Sequence, residues 1–215
     1  MKIALIGATG FVGSNILNEL ANRNHEVTAI ARNPKESELA NVNFVKADIF
    51  NTEELSEILK NHDVVVSAYN PGWTNPNIYD DFIAGSNAIV EGVKKSGVNR
   101  YITIGGAGSL FVAPNLQAVD TPDFPKEIFP GANAARHYLN IIKEEKDLDW
   151  AFFSPAFEMH AGTKTGRTGK YRLGLENPVF NDEQRSILSV EDLAVVIADE
   201  VETPKHHQVR FTAGY

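Results

Sequence analysis

Three evenly spaced glycines follow the first apolar run of the chain and constrain its fold more than any other feature. The run Lys2–Ile6 (KIALI) predicts a short strand, and it leads directly into Gly7, Gly10 and Gly13 in the stretch IGATGFVG. Glycine tolerates a positive φ and has no Cβ that would keep a bulky group away from the backbone. Apolar residues then recur at helical spacing. The chain therefore opens with a strand, a turn almost free of side chains and a helix.

The alternation of strands and helices continues along all 215 residues. Apolar runs predict strands at 26–31, 42–46, 63–67, 100–104, 150–154 and 208–212, and helical periodicity predicts helices at 51–59, from 78 to Gly97, at about 133–145 and from Ser189. Consecutive parallel strands need crossover helices. The predicted fold class is therefore α/β, a doubly wound parallel sheet in three α/β/α layers with a small C-terminal substrate region, and we expect one domain over 1–215.

Two long stretches interrupt this rhythm, at about 105–131 and 157–188. The first contains four prolines, and the second is rich in Gly, Thr and basic residues. Loops of this length inside a compact domain are uncommon and are often binding loops or lids, so we expect these two segments to form the substrate region. The basic residues of the second segment could attract an anion, although an exposed hairpin is the commoner explanation. They are Lys164, Arg167, Lys170 and Arg172.

Composition excludes several classes of function. The net charge of -8 and the sequence pI near 5.3 argue against nucleic-acid binding. The absence of cysteine excludes disulfide and thiolate chemistry and fits a reducing compartment, so we expect the cytoplasm. No apolar stretch approaches the roughly 20 residues of a membrane span, and we expect a soluble protein. The adjacent His206 and His207 lack partners at ligand spacing, so no metal site is expected.

The glycine turn has a specific chemical interpretation. A helix start behind such a turn offers free N–H groups to an anion, and dinucleotide-binding proteins use it to hold a pyrophosphate. The spacing of Gly7, Gly10 and Gly13 is a near variant of G-x-G-x-x-G with one added residue. The alternative is a tight turn in which Gly13 only allows close helix packing. We favour the first interpretation and expect a nicotinamide dinucleotide.

The end of the second predicted strand bears on the choice between NAD and NADP. NAD sites usually carry Asp or Glu there, whereas an arginine accommodates the 2′-phosphate of NADP. This chain has Ala31-Arg32-Asn33, with a cation and no carboxylate. NADP (NADPH) is therefore favoured over NAD, with a solvated loop charge as the alternative role of Arg32.

Two further strand ends complete the expected cofactor site. Asp48 could accept a hydrogen bond from the adenine amino group, although turn formation before Asn51 explains it almost as well. Small residues at the end of the fourth strand suit close approach of a ligand at the switch point of the sheet. The residues expected to bind the cofactor are Gly7, Thr9, Gly10, Phe11, Val12, Gly13, Arg32, Asp48, Ile49, Ser67, Ala68 and Tyr69.

Several stretches together carry a resemblance that spans essentially the whole chain. They are GATGFVG, ARNP, KADIF, IGGAGSL, LDWAFFSPA, GTKTGRTGKYRLG and SVEDLAVVIADEVE. The chain resembles the atypical short-chain dehydrogenase/reductase group of NAD(P)H-flavin reductases and, more distantly, biliverdin reductase B-type flavin reductases and NmrA-like regulators. The resemblance implies a Rossmann fold, a nicotinamide dinucleotide and a flavin or other small oxidised substrate.

The catalytic pair of ordinary short-chain dehydrogenases is missing. Their Tyr-x-x-x-Lys motif places both side chains on one helix face, but Tyr138 is followed four residues later by Ile142. Lys143, at five residues, lies about 140° round the helix. We therefore expect Tyr138 to be a core residue. The serine usual after strand five is also absent, because that strand leads into Gly105 and Gly106.

This loss favours an acceptor that needs no protein acid. A ketone requires a positioned proton donor, whereas a reduced flavin can take its proton from water. We expect an NADPH-dependent oxidoreductase that transfers hydride to a flavin, a quinone or a similar small-molecule acceptor. The alternative is an NmrA-like dinucleotide-binding redox sensor without catalysis. An epimerase or dehydratase is less attractive, because it also needs an acid/base pair.

Two polar residues remain as weaker candidates. Ser109 is placed near the expected nicotinamide end and is the candidate catalytic residue, as a hydrogen-bond donor to substrate. A loop serine that satisfies its own backbone is at least as good an explanation. His137 shares a polar helix stripe with Asn133 and Asn140, and we expect it to be solvated.

Overall fold

The computed structural model describes residues 1–34 and 37–215. The first half contains β1 (Lys2–Ile6), α1 (Phe11–Asn22), β2 (Glu26–Ala31), β3 (Val42–Lys46), α2 (Thr52–Leu59), β4 (Val64–Ser67), α3 (Ile78–Ser96) and β5 (Arg100–Ile104). The second half contains β6 (Phe111–Ala113), β7 (Leu116–Gln117), α4 (Phe129–Ile142), β8 (Asp149–Ser154), β9 (Arg172–Gly174), α5 (Val190–Glu202) and β10 (Val209–Gly214). Short 3-10 turns cover Ala107–Ser109 and Ala118–Asp120.

Within the described residues the main sheet has the strand order β3-β2-β1-β4-β5-β8-β10-β9. All pairs are parallel except β10 with β9, which is antiparallel. The chain runs outward from β1 to β3 and then returns past β1 to β4, so the order reverses between β1 and β4. This is the doubly wound Rossmann arrangement, and the predicted fold class is confirmed.

Both faces of the sheet are covered. In β1, Ile3 and Leu5 point into the core beneath α1 and α5, whereas Ala4 and Ile6 point into the core beneath α2, α3 and α4. A strand buried on two sides has no polar face, which explains the continuous apolar run KIALI.

The helix ends are stabilised by caps. The Asn51 side chain accepts a hydrogen bond from the Glu54 N–H, the Ser189 hydroxyl accepts one from the Asp192 N–H, and Gly97 ends α3 at φ 80°. The fourth helix begins at Phe129 rather than at about 133, because Pro130 is well suited to a first helical turn. It ends at Ile142, and the last strand extends to Gly214.

The basic part of the second substrate segment is not a hairpin, so that interpretation is wrong. Residues 163–171, here called the strap, have no regular structure and lie across α1 and α5. Arg167 donates two 2.8 Å hydrogen bonds to the Glu19 carboxylate, and the Thr168 and Gly169 N–H groups donate to the Asp192 carboxylate at 2.9 and 2.8 Å. These long-range acceptors replace a partner strand.

Candidate functional site

The glycine turn lies at the carboxyl end of β1, where the strand order reverses. Gly7 has a φ of +80°, and a Cβ on it would lie 2.6 Å from the Ala68 carbonyl oxygen. A Cβ on Gly13 would lie 2.1 Å from the Gly7 carbonyl oxygen, whereas one on Gly10 would be in ordinary contact at 3.4 Å. Gly13 therefore does provide close helix packing, as the alternative interpretation expected. That packing brings the start of α1 directly over the end of β1.

The start of α1 offers unpaired donors. Its N-cap, Gly10, supplies no side-chain hydrogen bond, and the first turn contains no acidic residue. The Gly10 N–H is bonded to the Gly7 carbonyl, but the N–H groups of Phe11, Val12 and Gly13 have no acceptor in the described part of the chain. Thr9 is half-buried beside them, and Phe11 is 46% exposed. Free N–H groups at the positive end of a helix form an anion-binding site.

Arg32 and Asp48 follow β2 and β3 at the same edge of the sheet. Both are exposed, and Arg32 forms no ion pair with any described residue. The Asp48 carboxylate accepts a hydrogen bond from the Phe50 N–H at 3.0 Å, which is the turn that the alternative interpretation expected. Ile49 beside it is buried. Asp48 therefore has a structural role, and its second carboxylate oxygen has no partner among the described residues.

Tyr69 forms a fixed wall after β4. Its hydroxyl donates to the Asp81 carbonyl at 2.9 Å, and its ring fills the space that a Cβ on Gly85 would occupy, at 2.4 Å. Burial raises the pKa of Tyr69 to about 12; Asp81 and Asp48 also raise it, whereas Arg32 lowers it. The charged groups that follow β2 and β3, Arg32 and Asp48, therefore lie near enough to Tyr69 after β4 to affect its protonation. Ser67 is buried, and Ala68 is half-buried.

Ser109 lies after β5 but does not face solvent. The residue is fully buried; its hydroxyl donates to the Gly106 carbonyl at 2.9 Å and lies 3.1 Å from the Ser154 hydroxyl. Direct contact with a substrate would require these bonds to break. The placement favours a loop serine that satisfies its own backbone.

Tyr138 is a core residue, as expected. It is 1% exposed, and its hydroxyl lies 3.3 Å from that of Tyr101. Burial, together with Tyr101, raises the pKa of Tyr138 well above its usual value. It is therefore unsuited to donating a proton to a substrate. His137 is exposed as expected, and its ring also hydrogen-bonds to the Tyr79 hydroxyl at 2.6 Å.

The first substrate segment lines a cavity of about 390 Å³. Its walls are Val119, Asp120, Thr121, Phe124, Lys126, Phe129 and Pro130. Gly108, from the turn after β5, adjoins this cavity, since a Cβ there would lie 3.2 Å from Val119 and 3.6 Å from the Phe124 ring. The volume is within the range of small-molecule sites, about 300–1,000 Å³.

The long-range contacts of three residues were not predicted from the sequence. Asp192 is fully buried and holds the strap, and the buried Arg210 pairs with the partly exposed Glu176. The only signal for Arg210 was a charge between apolar neighbours in VRFTAG. Its partners are 34 and 101 residues away, a distance that no local pattern reveals.

Two kinds of site are absent from the described residues. No group of three or more His, Cys, Asp or Glu side chains in 1–34 and 37–215 is placed to hold a metal ion. No helix in these ranges has the length and hydrophobicity needed to cross a membrane.

A bare helix start with free amides, at the switch point of a parallel sheet, defines a nucleotide-binding protein of the Rossmann class. The profile of the NAD(P)H-binding family matches residues 7–204. The chain therefore belongs to the NAD(P)H-binding family, and the expected resemblance is confirmed. This membership and the structural neighbours support an oxidoreductase.

The similarity to other proteins extends over almost the whole chain. The crystal structure of a candidate epimerase from Bacteroides thetaiotaomicron is 48% identical, with a TM-score of 0.91, over 100% of this chain and 96% of that one. A candidate NADH-flavin reductase from Streptococcus pneumoniae is 32% identical, with a TM-score of 0.86, over 100% and 99%. The uncharacterized protein YwnB of Bacillus subtilis is 36% identical over 99% of this chain and 97% of its own length.

Proposed function

We propose that the protein is an NADPH-dependent oxidoreductase that transfers hydride to a flavin, a quinone or a similar planar acceptor. The observation that carries this proposal is the pairing of an open anion site at the start of α1 with a buried tyrosine in the place of the usual acid. The first feature supports a dinucleotide, and the second disfavours substrates that need a proton from the protein. The candidate NADH-flavin reductase among the similar structures supports the same class of acceptor.

The residues of the turn fit a dinucleotide. The unpaired amides of Phe11, Val12 and Gly13 would hold the pyrophosphate, since the missing Cβ atoms leave the backbone accessible. Arg32 would pair with a 2′-phosphate, which is the basis for preferring NADPH to NADH. The bound reduced nicotinamide supplies a hydride.

The remaining work of the protein is orientation. Tyr69 is locked by Asp81 and Gly85, and it gives the carboxyl edge of the sheet one rigid wall. The cavity of about 390 Å³ that adjoins Gly108 combines apolar side chains such as Phe124 and Phe129 with the polar Asp120, Thr121 and Lys126, and it would hold a small planar acceptor. The proton needed after hydride transfer to a flavin comes from water, so no titrating residue is required.

The other candidates fit the geometry less well. If the protein were a sensor without catalysis, we would expect side chains to fill the acceptor site. The first substrate segment instead lines a cavity of about 390 Å³. An epimerase needs an acid/base pair, but Tyr138 is buried against Tyr101. The lack of cysteine supports placing the enzyme in the cytoplasm.

The test is stopped-flow oxidation of NADPH with FMN as the acceptor. We expect oxidation faster than in enzyme-free controls, and slower oxidation when the transferred hydrogen of NADPH is replaced by deuterium. A rate equal to that of the controls, with both FMN and a benzoquinone, would refute the proposal. Calorimetric titration with NADPH and NADH separately reports whether the dinucleotide binds and which form is preferred.

A further inference from the structure

The two substrate segments are hydrogen-bonded to each other at a site here called the segment junction. The Phe111 N–H donates to the Glu176 carbonyl at 2.9 Å, and the Asn177 side-chain amide donates to the Phe111 carbonyl at 2.8 Å. The junction comprises Ser109 and Phe111 from the first segment, Glu176 and Asn177 from the second, and Arg210 from β10 beneath them.

Arg210 joins both segments from below. Its side chain is 0% exposed. One guanidinium nitrogen donates to the Ser109 carbonyl at 2.7 Å, and the other donates to the Glu176 carbonyl at 3.3 Å and pairs with the Glu176 carboxylate. The guanidinium carbon also lies 5.7 Å from the centre of the Phe111 ring.

The burial of this charge makes the two segments interdependent. A buried cation is costly unless it is paired and hydrogen-bonded. If either segment moved away, the Arg210 guanidinium would lose the acceptors that this segment provides and would remain buried with only those of the other segment. The base of Arg210 is itself fixed, because its neighbour Phe211 packs on the opposite face of the sheet against Phe153, with ring centres 5.1 Å apart.

The segment junction adjoins the expected acceptor site. Ser109 is the last residue of the turn that begins after Gly105 and Gly106 at the carboxyl end of β5. The Ser109 hydroxyl bonds to the Gly106 carbonyl at 2.9 Å, and Arg210 bonds to the Ser109 carbonyl. A displacement of Arg210 would therefore move the backbone next to the nicotinamide end of the site.

We propose that Arg210 is a positioning residue that locks the two substrate segments together and thereby sets the shape of the acceptor site. The inference rests on the proposed function for its catalytic consequence, although the mechanical coupling of the segments does not. Arg210 contacts neither the dinucleotide turn nor Arg32, so its effect falls on the acceptor and not on the dinucleotide.

The chain offers a matched control in a second buried arginine. Arg100, on β5, is 9% exposed and pairs with Glu200 at 2.6 Å and Asp149 at 3.2 Å. It also donates to the His206 carbonyl at 2.8 Å. These partners lie at the amino-terminal edge of the sheet, away from both segments. Arg100→Met therefore also removes a buried, paired cation and leaves the segment junction intact.

The direct test is amide hydrogen exchange of the full chain followed by mass spectrometry. We expect Arg210→Met to speed exchange in both 105–111 and 172–178, and Arg100→Met to leave these peptides unchanged. Glu176→Gln should speed exchange in the same two peptides, but by less, because the Glu176 side chain is 47% exposed in the parent. If Arg210→Met does not fold, the exchange of Glu176→Gln alone decides the test. Faster exchange in one segment only, or equal effects of Arg100→Met, would overturn the coupling.

Kinetics test the catalytic consequence. For Arg210→Met we expect the KM for FMN to rise about tenfold while the Kd for NADPH stays within about twofold. Arg210→Lys should not restore the KM, because one ammonium cannot reproduce the planar fork. An unchanged KM, or an equal loss of NADPH affinity, would overturn the positioning role. If the parent protein does not oxidise NADPH, the proposed function fails, and hydrogen exchange still decides the coupling.

Discussion

The glycine turn and the segment junction hold their backbones in opposite ways. The turn is set by missing side chains and close backbone contacts: the Gly7 carbonyl lies where a Cβ of Gly13 would be, and the Ala68 carbonyl lies where a Cβ of Gly7 would be. The junction is set by a buried guanidinium and partners 34 and 101 residues away. The glycine spacing that allows the turn lies within seven adjacent residues, whereas the partners of the junction are brought together only by the completed tertiary structure.

The largest effect is expected at Gly13. A Cβ 2.1 Å from a backbone oxygen cannot be relieved by a rotamer change, so Gly13→Ala should cost about 3 kcal/mol of stability. This loss exceeds the roughly 1 kcal/mol that alanine gains over glycine in a helix. We expect the Tm to fall by roughly 6–12 °C and NADPH binding to weaken, as measured by thermal unfolding and calorimetry.

Gly10→Ala is the matched control, because its Cβ would lie at an ordinary 3.4 Å. Its Tm should stay within about 2 °C of the parent. Equal destabilisation by the two variants would show that the turn is not governed by local sterics.

Arg32→Ala tests the dinucleotide side of the molecule. Loss of a charge-assisted hydrogen bond to a 2′-phosphate should cost about 2 kcal/mol, which is about thirtyfold in the Kd for NADPH. The Kd for NADH should change by less than about twofold. A similar loss for both dinucleotides in calorimetric titration would remove the assignment of Arg32.

Glu19→Gln tests whether the two sides are independent, because Glu19 lies on α1 and holds the strap of the second segment. The hydrogen bond from Arg167 is the main cause that lowers the pKa of Glu19 below its ordinary 4.5; burial opposes it, and Arg23 adds to it. At pH 7 we expect the variant to be less stable by about 1–2 kcal/mol, with an unchanged Kd for NADPH.

The pH dependence has a definite sign. A carboxylate with a lowered folded-state pKa contributes stability above its unfolded pKa, and that contribution is lost as the pH falls through the folded value. The stability difference between parent and Glu19→Gln should therefore shrink below about pH 4.5 in urea titrations. A difference that does not depend on pH would contradict the ion pair.

Tyr138→Phe should have the smallest effect. It removes a buried hydrogen bond with Tyr101 and should cost about 1 kcal/mol, or a Tm lower by roughly 2–4 °C. Because burial keeps this hydroxyl protonated, the rate at which the variant turns over FMN should stay within about twofold of the parent's rate at each pH between 6 and 9. A rate loss of tenfold or more would indicate that Tyr138 takes part in catalysis, as the tyrosine of tyrosine-dependent dehydrogenases does.

The parts of the structure predicted from the sequence are those with local causes. Apolar runs and helical periodicity predicted the element order, and the glycine spacing located the bare start of α1. The strap was misinterpreted because its partners, Glu19 and Asp192, are 148 and 24 residues away from the residues that contact them. The sequence placed Ser109 after β5, but its burial could not be predicted, because it lies against Ser154 and Arg210, which are distant in the chain.

The contact between Gly13 and the Gly7 carbonyl also affects the energetics of ligand capture. Since α1 rests directly on the end of β1, the three unpaired amides point outward from a single rigid unit before any anion arrives. A phosphate that docks there meets preorganised donors and loses little free energy to the ordering of a loop. Association at this end should consequently show a small entropic penalty, even though the chain carries a net negative charge.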